Sequence, residues 1–149
     1  MFFLKELPSR QMVAGYAQAH DVPADAIADG LTLMRRASLL IRQLERYFAD
    51  HRLSQLRFLI LIVIDREPER DSLTVGEITD RLDVAGPVVA RTLGVLVADG
   101  LVASDADRRD ARVKHVRLTP DGHATLRRLL PGYFAIIADA MRPLEPPTP

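Results

Sequence analysis

The sequence predicts a mainly α-helical chain built around a winged helix-turn-helix, and three features predict it. Two short amphipathic helix patterns, "LTVGEITDRL" and "PVVARTLGVLV", flank a brief break at "DVAG". A two-stranded hairpin follows at once, "LVAS" and "VKHVRL" joined by a densely charged tip. Long helical patterns over residues 23–48 and 120–142 bracket this lobe at 54–119. Helix, short turn, helix and hairpin, in that order, is the winged-helix layout.

Residues 9–20 read as a first helix, with Ser9 as N-cap and Met12, Val13, Tyr16 and Ala17 sharing one face. "HDVPAD" breaks it. Pro23 suits the first turn of a second helix running to about Phe48, with Asp25 near its positive end. That helix carries one apolar row at Ile27, Leu31, Met34, Ile41 and Phe48 and another at Leu33, Leu40, Leu44 and Tyr47. Two rows imply two partners, the chain's own core and a second copy of the chain. Ser54 caps a third helix over Gln55–Arg66. Its "FLILIVI" suits a buried strand equally well by periodicity alone; the cap, and a pattern reaching back through Leu56, favour helix.

Thr74 with Glu77 three residues on forms a capping box, in which each side chain accepts the other residue's backbone N–H. Ile78 and Leu82 then share a face. After the break, Pro87 sits in a first turn, Val89, Leu93 and Leu96 form the apolar row, and Gly100 ends the helix. In the hairpin, Val116 and Leu118 point one way while His115 and Arg117 point the other. Thr119 as N-cap, Pro120 and Asp121 start a last helix running to about Met141, with a kink expected at Pro131. Residues 1–22 read as an N-terminal extension that joins in dimerisation, 23–142 as the main domain, and 143–149, "PLEPPTP", as a disordered tail.

Composition narrows the function. A chain of 149 residues fits one domain and can bury roughly 70% of its unfolded surface. The absence of cysteine removes disulfides, thiolate metal sites and thiol redox chemistry. Phe58–Ile64 is far shorter than the ~20 residues of a membrane span, and the N-terminus lacks a secretory pattern, so a soluble cytoplasmic protein with no membrane partner is expected. Twenty Lys and Arg balance 20 Asp and Glu, which argues against indiscriminate coating of nucleic acid or anionic lipid. His20, His51, His115 and His123 are scattered without metal-ligand spacing, and no nucleophile motif or phosphate-cradling loop is present. Neither a metal, a cofactor nor an enzyme activity is expected.

Charge gathers where a winged helix would use it, in "SDADRRDARVKHVRLTPDG". Arginine suits a narrow minor groove because that groove concentrates negative potential and guanidinium sheds water at lower cost than ammonium. The neighbouring aspartates would orient the guanidinium groups. The opposing interpretation is a solvated hairpin with internal Asp–Arg pairs, each contributing about 0–1 kcal/mol.

Together with "LSQLRFLIL" and "LTVGEITDRLDVAGPVVARTLGVLVADGLV", this wing resembles the MarR family of dimeric bacterial transcription regulators over residues 30–142, with Asp110, Arg112, Val116, Leu118, Thr119 and Gly122 at the family's spacing. The resemblance implies a homodimer on double-stranded DNA at a pseudo-palindromic operator, acting as a repressor. It places Arg112 in the minor groove, with Asp110 helping to hold the wing and Arg108 and Arg109 as phosphate or sugar contacts; Lys114 completes the expected DNA-binding set. On the recognition helix, Arg91 falls where the family has an arginine or similar polar residue; Thr92 is the other hydrogen-bonding side chain, and Val88 could meet a thymine methyl. The family's Ser/Thr-rich start is replaced here by Ala85, Gly86, Pro87, Val88, Val89 and Ala90, so direct readout is thin. A small aromatic or phenolic effector is also implied, with Arg46, Tyr47, His51 and Arg57 near the expected helix junction. A competing function, from another class, is a winged helix whose depleted recognition helix docks a protein.

Overall fold

The structure is a computed structural model that describes residues 2 and 4–142; the tail expected to be disordered lies outside the described residues. The described elements are α1 (Arg10–His20), α2 (Ala24–Asp50), α3 (Gln55–Asp65), β1 (Ser72–Thr74), α4 (Val75–Asp80), α5 (Gly86–Ala98), β2 (Val102–Ala106), β3 (Lys114–Leu118) and α6 (Pro120–Ala140). Helix dominates, and the one small sheet makes this a mainly α winged helix. The described residues divide into two compact units, one within 2–46 with 135–142 and one of residues 47–134.

In the first unit, the Ser9 hydroxyl accepts from Met12 N, and α1 closes on Asp21 in the left-handed region at φ 53°, whose N–H reaches Ala17 O. Val13, Ala17 and Leu44 are its buried apolar side chains, and Ser38 is its buried polar one. The Ser38 hydroxyl accepts from Phe2 N at 3.3 Å, and Arg35 donates to Leu4 O at 2.8 Å, so the N-terminal segment lies along α2. Arg36 donates to Ala140 O at 2.8 Å and Arg142 O at 3.1 Å, satisfying carbonyls that the end of α6 leaves open. Met12, Tyr16, Leu33, Met34, Leu39 and Ile41 are exposed.

The second unit holds most of the core. Phe48 and Phe58 stack with ring centroids 4.8 Å apart, and Tyr133 sits 5.0 Å from Phe58. Ile60, Leu61, Leu73, Ile78, Val89, Leu96, Val116 and Leu129 are buried in the same unit. Burial of one such side chain is worth roughly 1.5–3 kcal/mol, so this cluster fixes the lobe. "FLILIVI" is helical, within α3, because Ser54 accepts from Arg57 N and starts the helix. Tyr47, in the second apolar row of α2, turns its hydroxyl to Leu129 O at 2.9 Å, while α6 continues through Pro131.

The sheet has a strand that the sequence pattern does not reveal. β1 pairs antiparallel with β3, Leu73 opposite Val116, and the order is β1-β3-β2. Three residues are too few to show alternation, and their partner lies some forty positions away. The hairpin itself follows expectation, with Ser104 opposite Val116 and Ala106 opposite Lys114. Its base is closed by Thr119: the backbone N–H donates to Leu101 O, the hydroxyl donates to Gly100 O, and the same oxygen accepts from Gly122 N.

Candidate nucleic-acid interface

α4 and α5 form the helix-turn-helix. The Thr74–Glu77 capping box is present in full, Thr74 N donating to the Glu77 carboxylate at 2.8 Å and Glu77 N to the Thr74 hydroxyl at 3.2 Å. Arg70 donates to the other Glu77 oxygen at 2.8 Å. The Thr74 N–H and the Arg70 guanidinium together push the Glu77 carboxyl down to about 2. After a turn through Arg81–Ala85, α5 buries Val89, Leu93 and Leu96 and leaves the rest of its surface outward.

The outward face of α5 is poor in polar groups. Val88 is 43% exposed, and Ala90, Arg91, Gly94 and Val95 are exposed beside it. Thr92 is half-buried, and its hydroxyl donates to Val88 O at 2.8 Å. Ala85 at the N-cap supplies no side-chain hydrogen bond, and Pro87 contributes no N–H.

The wing is more ordered than its charge suggests. The Arg112 side chain is 90% exposed, yet its Nε and a terminal nitrogen donate to the two oxygens of Asp110 at 3.0 and 3.1 Å, a bidentate fork. Asp110 also accepts from Arg112 N at 3.0 Å. The guanidinium, aided by that N–H, holds the Asp110 carboxyl below its ordinary value, and the carboxylate raises Arg112 in turn. Arg108, Arg109 and Lys114 are exposed around this fork.

Sequence reasoning missed Asp107 as the organiser of the tip. Its Oδ1 accepts from Arg109 N at 2.7 Å and Asp110 N at 3.1 Å, an Asx turn, while Oδ2 meets His115 Nε2 at 3.0 Å. The Arg109 N–H first, then His115, lower the Asp107 carboxyl. The signal was an aspartate opening a turn, overshadowed by the arginines around it. Farther down the strands Arg117 pairs with Asp105.

The residues expected at an effector site each have a hydrogen-bond partner within the protein. Arg46 is exposed, with Nε 3.4 Å from Arg42 O. His51 Nδ1 lies 2.7 Å from Tyr47 O, and Tyr47 spends its hydroxyl on Leu129 O. Arg57 donates to Asp99 at 3.1 Å, and Asp99 is the C-cap of α5. Among the described residues, no group of three acidic or histidine side chains could hold a metal ion, and no helix is long and apolar enough to cross a membrane.

Comparison with known proteins places this geometry. A sequence model of the MarR family matches residues 53–112. The chain is similar to the HTH-type transcriptional repressor YetL of Bacillus subtilis (strain 168), with 30% identity over 140 residues, spanning 93% of this chain and 83% of YetL. Its fold is like that of Sco3205, a MarR family transcriptional regulator from Streptomyces coelicolor solved in complex with DNA, at a TM-score of 0.72 and 21% identity over 85% of this chain and 79% of that one. It is also like that of BpsR from Bordetella bronchiseptica, whose DNA binding is regulated by 6-hydroxynicotinic acid, at a TM-score of 0.67 and 22% identity over 78% of this chain and 81% of that one.

Proposed function

The chain belongs to the MarR family of transcriptional regulators, not to an enzyme family, and we propose that it binds duplex DNA as a homodimer at a pseudo-palindromic operator and represses transcription there. The observation that carries this reading is Arg112, 90% exposed at the tip of the wing and already aimed by Asp110. An exposed, pre-oriented guanidinium loses little side-chain freedom on entering a minor groove. α5 would lie in the adjoining major groove, with Val88, Arg91 and Thr92 toward the bases and Arg108, Arg109 and Lys114 toward the backbone.

Dimerisation is supported by the exposed apolar side chains of the first unit, Leu33, Met34, Leu39 and Ile41 on α2 and Met12 and Tyr16 on α1. Residues 1–22 and the helices over 23–48 and 120–142 are the segments we assign to it. A two-fold axis would set the recognition helices about 34 Å apart, one turn of duplex. Repression is supported by the likeness to YetL, and a cytoplasmic location accords with that role. For the effector we propose an aromatic or phenolic acid, in line with the ligand of BpsR. Arg57 is the group through which such a carboxylate would act, because exchanging Asp99 for the ligand releases the C-terminal end of α5.

Selection from random duplexes at moderate salt, followed by affinity and stoichiometry measurements, tests the proposal. The expected result is a two-fold symmetric site bound by two chains; equal affinity for competitor DNA overturns it. The competing protein-docking function draws on Val88, Val95 and Val97, each 41–43% exposed on α5, and is favoured by that second result.

A further inference from the structure

We infer that α5 reads its half-site through one guanine and a set of thymine methyl groups, because Arg91 is the single side chain on the helix with hydrogen-bond donors free for a base. This rests on the proposal that the protein binds duplex DNA, and it specifies the sequences that would be bound.

Each base pair shows the major groove a distinct set of groups: N7 and O6 acceptors on guanine, N7 acceptor and N6 donor on adenine, an N4 donor on cytosine, and the O4 acceptor and C5-methyl on thymine. Reading adenine by a bidentate pair takes an amide side chain, and reading cytosine takes an acceptor such as a carboxylate. α5, "GPVVARTLGVLVA", contains no Asn, Gln, Asp or Glu. Its only polar side chains are Arg91 and Thr92. The Thr92 hydroxyl donates its one proton to Val88 O at 2.8 Å, inside the helix. Asp99, just past the end, is held by Arg57 at 3.1 Å. Arg91 is exposed and has no side-chain partner among the described hydrogen bonds and ion pairs, and its five donors match the two acceptors of guanine.

The remaining outward surface is hydrocarbon. Val88 and Val95 lie three residues before and four after Arg91, on the same side of the helix, 43% and 41% exposed. Pro87 and Ala90 are exposed alongside them. In a major groove such a surface finds one apolar feature, the thymine methyl. Guanine flanked by thymines is therefore the half-site that leaves the fewest groups unmatched. Gly94 adds no side chain in the next turn and leaves that approach open.

The test uses the full chain and the duplex recovered by random selection. Replacing half-site thymines by deoxyuridine removes only the methyl and leaves the minor-groove edge met by the wing unchanged. Affinity is expected to fall about fourfold for each contacted methyl, the loss expected from exposing one buried methylene. Replacing the guanine by 7-deazaguanine removes N7 and is expected to cost about tenfold or more, an effect that disappears in Arg91→Ala. Arg91→Gln, which offers one donor and one acceptor, should move the preference at that pair from guanine to adenine.

Deoxyuridine duplexes bound as tightly as thymine duplexes, or a 7-deazaguanine penalty that persists in Arg91→Ala, would overturn this inference while leaving operator binding intact. A selection that yields no preferred sequence overturns the operator proposal and this inference with it.

Discussion

His115 Nε2 lies 3.0 Å from Asp107 Oδ2, and the opposite oxygen of that carboxylate accepts the backbone N–H groups of Arg109 and Asp110. One side chain thus links the third strand to the turn that carries the arginines. An ionised carboxylate can only accept, so the His115 ring must carry its proton on Nε2.

Removing Asp107 should therefore loosen the tip without harming the core, since Val116 and Leu118 keep their packing on the other face. Asp107→Ala is expected to lower operator affinity about tenfold, the scale of one lost positioning contact, with little change in the denaturation midpoint. Fluorescence anisotropy and urea titration on the same preparation check both halves.

Arg112 offers a different signature. Arg112→Ala should weaken binding to every duplex and reduce the slope of log affinity against log salt by about 0.9 per chain, one counterion fewer released. Arg112→Lys should recover the slope but not the affinity, because ammonium cannot form the two-pronged pair seen with Asp110. A slope unaltered in Arg112→Ala would place the wing away from the phosphates.

Acid stability follows from Glu77. Its carboxyl falls from the ordinary 4.5 to about 2 in the fold. A carboxyl with a depressed value stabilises the native state above 4.5, and that contribution fades as pH drops from 4.5 toward 2. Glu77→Gln keeps an acceptor for Thr74 N but carries no charge for Arg70. Melting temperatures measured between those limits should then depend less steeply on pH than in the wild type.

Two glycines are expected to resist substitution to different degrees. A Cβ on Gly122 would run into the Leu101 carbonyl, a backbone atom that cannot step aside. Gly122→Ala should cost about 1–3 kcal/mol, the usual range for overfilling a packed site. A Cβ on Gly132 would lie 2.5 Å from the Tyr47 hydroxyl and 2.8 Å from its ring, and that side chain can turn away. Gly132→Ala should cost about 1 kcal/mol, near the value of the forfeited bond to Leu129 O. Chemical denaturation of the two variants ranks them.

Much of the fold was legible because its local signals agree. Ser9, Ser54 and the Thr74–Glu77 pair each sit before an apolar periodic run and each makes the capping bond its type allows. The hairpin showed in Val116 and Leu118 alternating with His115 and Arg117. What escaped were features set by distant chain. β1 exists because Leu73 finds Val116, and nothing within three residues announces that. Tyr47 read as one member of an apolar row or an effector contact, whereas its hydroxyl is fixed by Leu129 O, eighty-two positions on. In the wing the arginines were visible and their organiser was not, since Asp107 acts through backbone N–H groups that carry no residue identity. The helix ends differ by a residue or two, α2 reaching Asp50 rather than Phe48, which is ordinary fraying.

The knot at Leu101, Thr119 and Gly122 gives the hairpin one stiff end. Its two legs are stapled to each other and to the first turn of α6, while the far end is held by the half-buried Asp107 and Asp110 carboxylates and by two backbone bonds, Asp107 N to Val113 O and Val113 N to Asp110 O. Displacement of such a cantilever is largest at its free end and smallest at its root. Movement of the arginines is thereby expected to stay local, leaving α5, which ends at Ala98 two residues before Gly100, in place.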